Sequence, residues 1–179
     1  MVKKLTNKHI AGFALAVTVL MWSQLLYQYL TDGVPIHMFL HREDMPSISN
    51  YWSGLILPMF TAIVLFFIQK KTGRMDPAAA APELSKATYG LIGGVAFGAI
   101  LSLFFALGYS TPPSFMMLGA IALSFFLPIY KPANYLGFVL GMTYLFGATL
   151  PIVIGLVLFT ILRITYFLAQ MVKRLVQQS

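Results

Sequence analysis

The chain is a succession of long apolar runs separated by short polar segments, and nothing constrains its fold more. The runs cover residues 10–30, 51–68, 87–108, 115–130 and 135–171. About 20 apolar residues in a helix cross the ~30 Å hydrocarbon core of a bilayer. Inside that core every backbone N–H and C=O has to be satisfied within the protein, which selects helices. Composition agrees: 59% of the 179 residues are hydrophobic and 9% are charged, whereas a soluble domain carries about a quarter charged residues. The surplus apolar surface calls for lipid to cover it.

The last run is too long to be one span. As a single helix, residues 135–171 would reach about 55 Å at 1.5 Å per residue. A reversal is expected at Gly147-Ala148-Thr149-Leu150-Pro151, where Gly and Pro punctuate the run. The expectation is therefore an all-α integral membrane protein, a six-transmembrane helix bundle with both termini cytoplasmic. It forms a single transmembrane domain over residues 1–179, with spans at about 10–30, 51–68, 87–108, 115–130, 135–150 and 152–171. Pro128 interrupts the fourth span late. The segment TGRMDPAAAAPELSK, after Lys71, reads as a linker. The basic start, MVKKLTNK, resembles the opening of a signal peptide. Its apolar run is too long for that role, so it is expected to stay as the first span.

Charge sets the expected orientation. With the N-terminus inside, the cytoplasmic segments collect Lys3, Lys4, Lys8, Lys70, Lys71, Arg74, Lys86, Lys131, Lys173 and Arg174, ten of the twelve basic residues. This is the positive-inside pattern, and a five-span arrangement would violate it at Lys173 and Arg174. Tyr27, Tyr29, Tyr51, Trp52 and Tyr109 then fall at the outer interface, where aromatic side chains anchor membrane proteins. The net charge of +7 accordingly orients helices and does not point to nucleic acid. A bacterial plasma membrane is the expected location. There is no cysteine, so disulfides, thiolate metal sites and cysteine nucleophiles are excluded.

The polar segment between the first two spans, residues 31–50, gathers the most ionisable groups. His37 and His41 are four residues apart, which would place both imidazoles on one face of a helix. With Glu43 and Asp44 they form a candidate divalent-metal site, imidazole and carboxylate suiting such ions. With Arg42 the same segment is a candidate ligand-binding loop. It is equally well read as a solvated loop, since Asp32-Gly33 and Pro35 are turn chemistry and Pro46-Ser47 with Ser49 or Asn50 caps the next helix. Gln24 and Gln28 share a face of the first span and point towards this loop. They hydrogen-bond across helices, lie hydrated at the interface, or line an outward cavity for a solute. Arg163 is the one charge inside a span, a ligand-binding candidate by default, although it lies close enough to the cytoplasmic edge to snorkel. No acid lies inside any span, which argues against proton-coupled pumping.

Small residues recur every four positions at Gly90, Gly94, Gly98, Ser102 and Ala106, and again at Ala133, Gly137 and Gly141. Such faces let helices approach closely. They serve packing within the chain, or contact with a second copy or another membrane subunit. No P-loop, Gly-x-Ser-x-Gly elbow or His-Glu-x-x-His motif is present, and no cofactor is implied. In span number and size the chain resembles the substrate-binding membrane subunits of vitamin transporters. The expected function is non-enzymatic binding or passage of a small solute. The alternatives are a membrane enzyme with a metal site in residues 32–50, or an accessory subunit of a larger membrane complex.

Overall fold

The computed structural model of the chain describes residues 5–31, 33, 36–38 and 47–178. Six helices carry the fold: α1 Asn7–Leu30, α2 Ser53–Gly73, α3 Pro77–Ala106, α4 Thr111–Ser124, α5 Pro132–Phe146 and α6 Thr149–Gln178. Two three-residue strands, β1 Ile36–Met38 and β2 Ser47–Ser49, pair antiparallel between α1 and α2, with His37 opposite Ile48. A single 3-10 turn, Asn50–Trp52, joins β2 to α2.

Helices α1, α2, α3 and α6 are long and apolar enough to cross a membrane. The other two, with 14 and 15 residues, reach only about 21–23 Å at 1.5 Å per residue. Large apolar side chains stand exposed all round the outside, Trp22, Phe66, Phe126 and Phe167 among them. A water-facing surface does not tolerate such a belt and lipid does. This is a helical membrane protein.

The short helix α5 is the centre of the bundle. Leu136, Phe138 and Val139 are completely buried on it, and aromatic rings pack around Phe138 from Phe97 on α3 and Phe159 on α6. The closest pairing is α3 with α5, along the small-residue faces. A Cβ at Gly94 would collide with the backbone of Asn134 and lie 3.0 Å from Gly137 Cα; one at Gly98 would meet Phe138 O at 2.5 Å. From the other side, a Cβ at Gly137 or Gly141 would collide with the carbonyl of Leu91 or Val95. Backbone therefore touches backbone, and only glycine permits it. The faces that could have met a second copy meet each other within one chain. Ser102 sits at one end of this seam, its hydroxyl donating to Gly141 O at 3.5 Å.

Three features differ from the sequence reading. The expected linker after Lys71 is short, because α3 begins at Pro77, ten residues before the apolar run. Proline suits the first helical position, where its missing N–H has no partner to lose. The following alanines are the strongest helix formers. Helix α4 ends at Ser124 instead of Tyr130, since Pro128 disfavours helical backbone at Leu127 and offers no N–H. Finally, His37 lies in a strand paired with Ser47–Ser49, so the argument that placed it on a helical face with His41 fails. The reversal after α5 falls at Gly147, whose φ of +68° is a left-handed conformation that favours glycine.

Candidate functional site

At the hairpin end of the bundle, the two glutamines of α1 hold helices together. Gln24 Nε2 donates to Tyr144 O at 2.8 Å, catching the last turn of α5. Gln28 Oε1 accepts from Asn50 Nδ2 at 3.0 Å. Asn50 Oδ1 in turn accepts from the Ser53 hydroxyl at 2.6 Å, and Ser53 Oγ accepts the Ala148 N–H at 2.8 Å. Asn50 and Ser53 are each 2% exposed. The chain of bonds links α1, the start of α2 and the reversal before α6. A Cβ on Gly147 would collide with the Asn50 amide, so the glycine also makes room for this cluster. Gln24 and Gln28 thus hydrogen-bond across helices, the first to α5 and the second to the turn before α2. His41, Arg42, Glu43 and Asp44 lie outside the described residues, and so does the side chain of His37. Among the described residues no three His, Asp or Glu side chains gather as a metal site would require.

The opposite end is held by charge. Lys71 at the end of α2 donates to Glu83 Oε1 on α3 at 2.7 Å, and Lys131, just before α5, donates to the same oxygen at 3.3 Å. The Lys71 contact holds the Glu83 carboxyl below its ordinary value of 4.5, against the opposing effect of partial burial, and Lys131 lowers it further. Nearby, Gln69 Nε2 donates to Leu5 O at 3.1 Å and Asn7 Oδ1 at 2.8 Å, tying α2 to the start of α1. His9 closes a capping box with Thr6: the Thr6 N–H donates to His9 Nδ1 at 3.1 Å, and the His9 N–H to Thr6 Oγ1 at 3.4 Å.

Between these two ends, α3, α4, α5 and α6 line a half-open cavity of about 360 Å³. Its walls are apolar, with Phe97, Met116, Phe138 and Leu162 among the lining residues. Two glycines shape it. A Cβ added at Gly93 on α3 or Gly119 on α4 would meet nothing within 4 Å. The loose wall is α4, which buries only Pro113 and Ser124.

One polar side chain belongs to this apolar lining, that of Asn134 in the first turn of α5. Its oxygen packs over Gly90, where a Cβ would come within 2.5 Å of it. Among the described residues nothing hydrogen-bonds the Asn134 side chain, although it is half-buried. The side chain brings a primary amide, with N–H donors and a carbonyl acceptor, to the edge of an otherwise apolar space. That chemistry suits a small, mostly apolar molecule carrying a single carbonyl, hydroxyl or amide, and the volume lies at the lower end of small-ligand pockets. Sequence reading did not single out Asn134. The available signal was its spacing, three residues before Gly137, in register with the small face that meets Gly90 and Gly94.

Arg163 lies elsewhere, exposed on α6 in a groove of about 780 Å³ that also includes Tyr130 and Arg174. The structure does not bring it near Gln24 or Gln28. No known protein family, curated protein or solved structure matches the chain.

Proposed function

We propose that this chain is a non-enzymatic, six-span protein of a bacterial plasma membrane, with both ends cytoplasmic, that binds or passes a small solute through the cavity between α3 and α6. The observation that carries the reading is Asn134, the one polar side chain lining an otherwise apolar cavity and without a hydrogen-bond partner among the described residues. Three further features support it. Helix α4, one wall of the cavity, is short and has few buried anchors. The helices beside it are tied elsewhere, α6 at its start by the Asn50 cluster and α3 by Glu83. The short helices α4 and α5 have the protein neighbours that short or broken spans require.

Gly119→Leu is the direct test, because Gly119 lines the cavity and a Cβ there meets nothing within 4 Å. With 4-fluorobenzamide as a probe (one ring, one amide), fluorine NMR of the purified wild type should show binding. Gly119→Leu should abolish it with the melting temperature unchanged. Asn134→Leu should weaken it several-fold, the worth of about 1 kcal/mol for one neutral hydrogen bond. Equal binding by all three proteins would sink the cavity as the site.

The topology is tested separately. Single cysteines replacing Thr6, Ser85 and Gln178 should resist an impermeant thiol reagent in intact cells, and those replacing Ser47 and Ser110 should react. Reaction at position 178 from outside would overturn the six-span arrangement.

A further inference from the structure

Helix α6 has 30 residues, which makes it about 45 Å long, some 15 Å more than a hydrocarbon core. Measured from Thr149, Arg163 stands about 21 Å along the axis and Arg174 about 37 Å. When the start of α6 lies at one membrane boundary, Arg163 is about 10 Å inside the other boundary and Arg174 just beyond it. Eleven residues separate the two, close to three turns, so both occupy one face, and Gln170 between them shares it. All three line the same groove. Tyr130 closes its side, its ring against that of Tyr166 at 5.3 Å. Phe167 and Met171 supply an apolar floor.

Among the described residues neither Asp nor Glu lines the groove, and the ion pairs are those of Glu83, on other helices. An arginine exposed within the hydrocarbon is costly and seeks an anion or carbonyl oxygens. At this depth the membrane itself provides both, since lipid phosphates lie at the boundary and ester carbonyls just below. We propose that the groove is a binding site for one anionic phospholipid of the leaflet into which α6 emerges. Arg174 forks the phosphate, as a planar guanidinium does best. Arg163 reaches up from below towards the ester oxygens. Gln170 and Tyr130 offer hydrogen bonds to the headgroup, and the acyl chains lie along Phe167 and Met171. A zwitterionic lipid fits less well, because nothing here pairs with its cation. Basic recesses between membrane helices recognise anionic headgroups by the same means.

The test uses the full chain in nanodiscs of phosphatidylcholine, alone or mixed with phosphatidylglycerol, read by melting temperature and by native mass spectrometry of retained lipid. Phosphatidylglycerol should be retained in preference and should raise the melting temperature. The preference should fall roughly fivefold for each arginine removed, in Arg163→Gln and Arg174→Gln. Lys173→Gln changes net charge equally but sits over the Phe126 ring at 5.7 Å, outside the groove lining; it should keep the preference. Arg174→Gln, at the solvent-facing end, keeps the test available if Arg163→Gln does not fold. Equal retention of both lipids, or an equal loss in Lys173→Gln, would overturn the proposal. So would the same thermal gain from inorganic phosphate in phosphatidylcholine discs, which would assign the groove to free anions.

Discussion

Helix α3 carries glycine on two faces and uses it in opposite ways. On the face towards α5, Gly94 and Gly98 are places where a Cβ would strike a neighbouring backbone. On the face towards α4, Gly93 has nothing within 4 Å of that position, and Gly119 of α4 is equally open. The first pair removes side chains so that two helices can touch. The second leaves space that no helix fills. A small residue in a membrane helix thus has no single meaning, and its meaning comes from what stands opposite.

The largest expected effect comes from breaking the packed face. Gly98→Leu forces a side chain into the Phe138 carbonyl, which belongs to a buried helix and cannot step aside. The cost should be at least about 3 kcal/mol, the upper part of the overpacking range. In thermal unfolding that is a fall of roughly 6–12 °C for a chain of this size. Gly93→Leu, one turn away on the open face, should stay within about 0.5 kcal/mol of wild type. Equal melting temperatures for the two variants would erase the distinction between the faces.

Next in size is the hairpin end. Asn50→Ala removes the partner of both Gln28 and Ser53 in a buried cluster. The expected loss is about 1–3 kcal/mol, the penalty for leaving buried polar groups unmade. Faster amide exchange should appear at Ala148, whose N–H depends on Ser53. Unaltered exchange there would show that the cluster does not hold the reversal.

The smallest effect sits where charge closes the α3–α5 seam. Because the Glu83 pKa is lowered in the folded protein, its contribution is complete above the ordinary carboxylate value of 4.5 and fades as pH falls through the lowered one. Stability should therefore decline on acidification below about pH 4.5 by no more than ~1 kcal/mol, as for other partly exposed pairs. Glu83→Gln should flatten that part of the pH profile. An unchanged profile would mean the carboxyl titrates alike in folded and unfolded chains.

Much of this was readable along the chain. Runs of apolar residues marked α1, α2, α3 and α6, because lipid demands long uninterrupted stretches and they leave a local record. Pro128 and Gly147 marked breaks for equally local reasons, a missing N–H and a left-handed φ. The four-residue spacing of Gly90, Gly94 and Gly98 showed a smooth face. By contrast, the helical pairing of His37 with His41 came from spacing alone, and spacing is silent about which period the backbone adopts.

What stands opposite each face was decided only by tertiary structure. No local pattern says that Gly94 meets Gly137, that Gln28 meets Asn50 across 22 residues, or that Ser53 meets Ala148 across 95. Nor does one say that Asn134 is left without a partner at the wall of a cavity. Helix formation in lipid is driven by hydrogen bonds within a few residues and is therefore written in short stretches of sequence. Helix association depends on shape and on polar groups finding each other at a distance, and these are properties of pairs of surfaces that exist only once the bundle has closed.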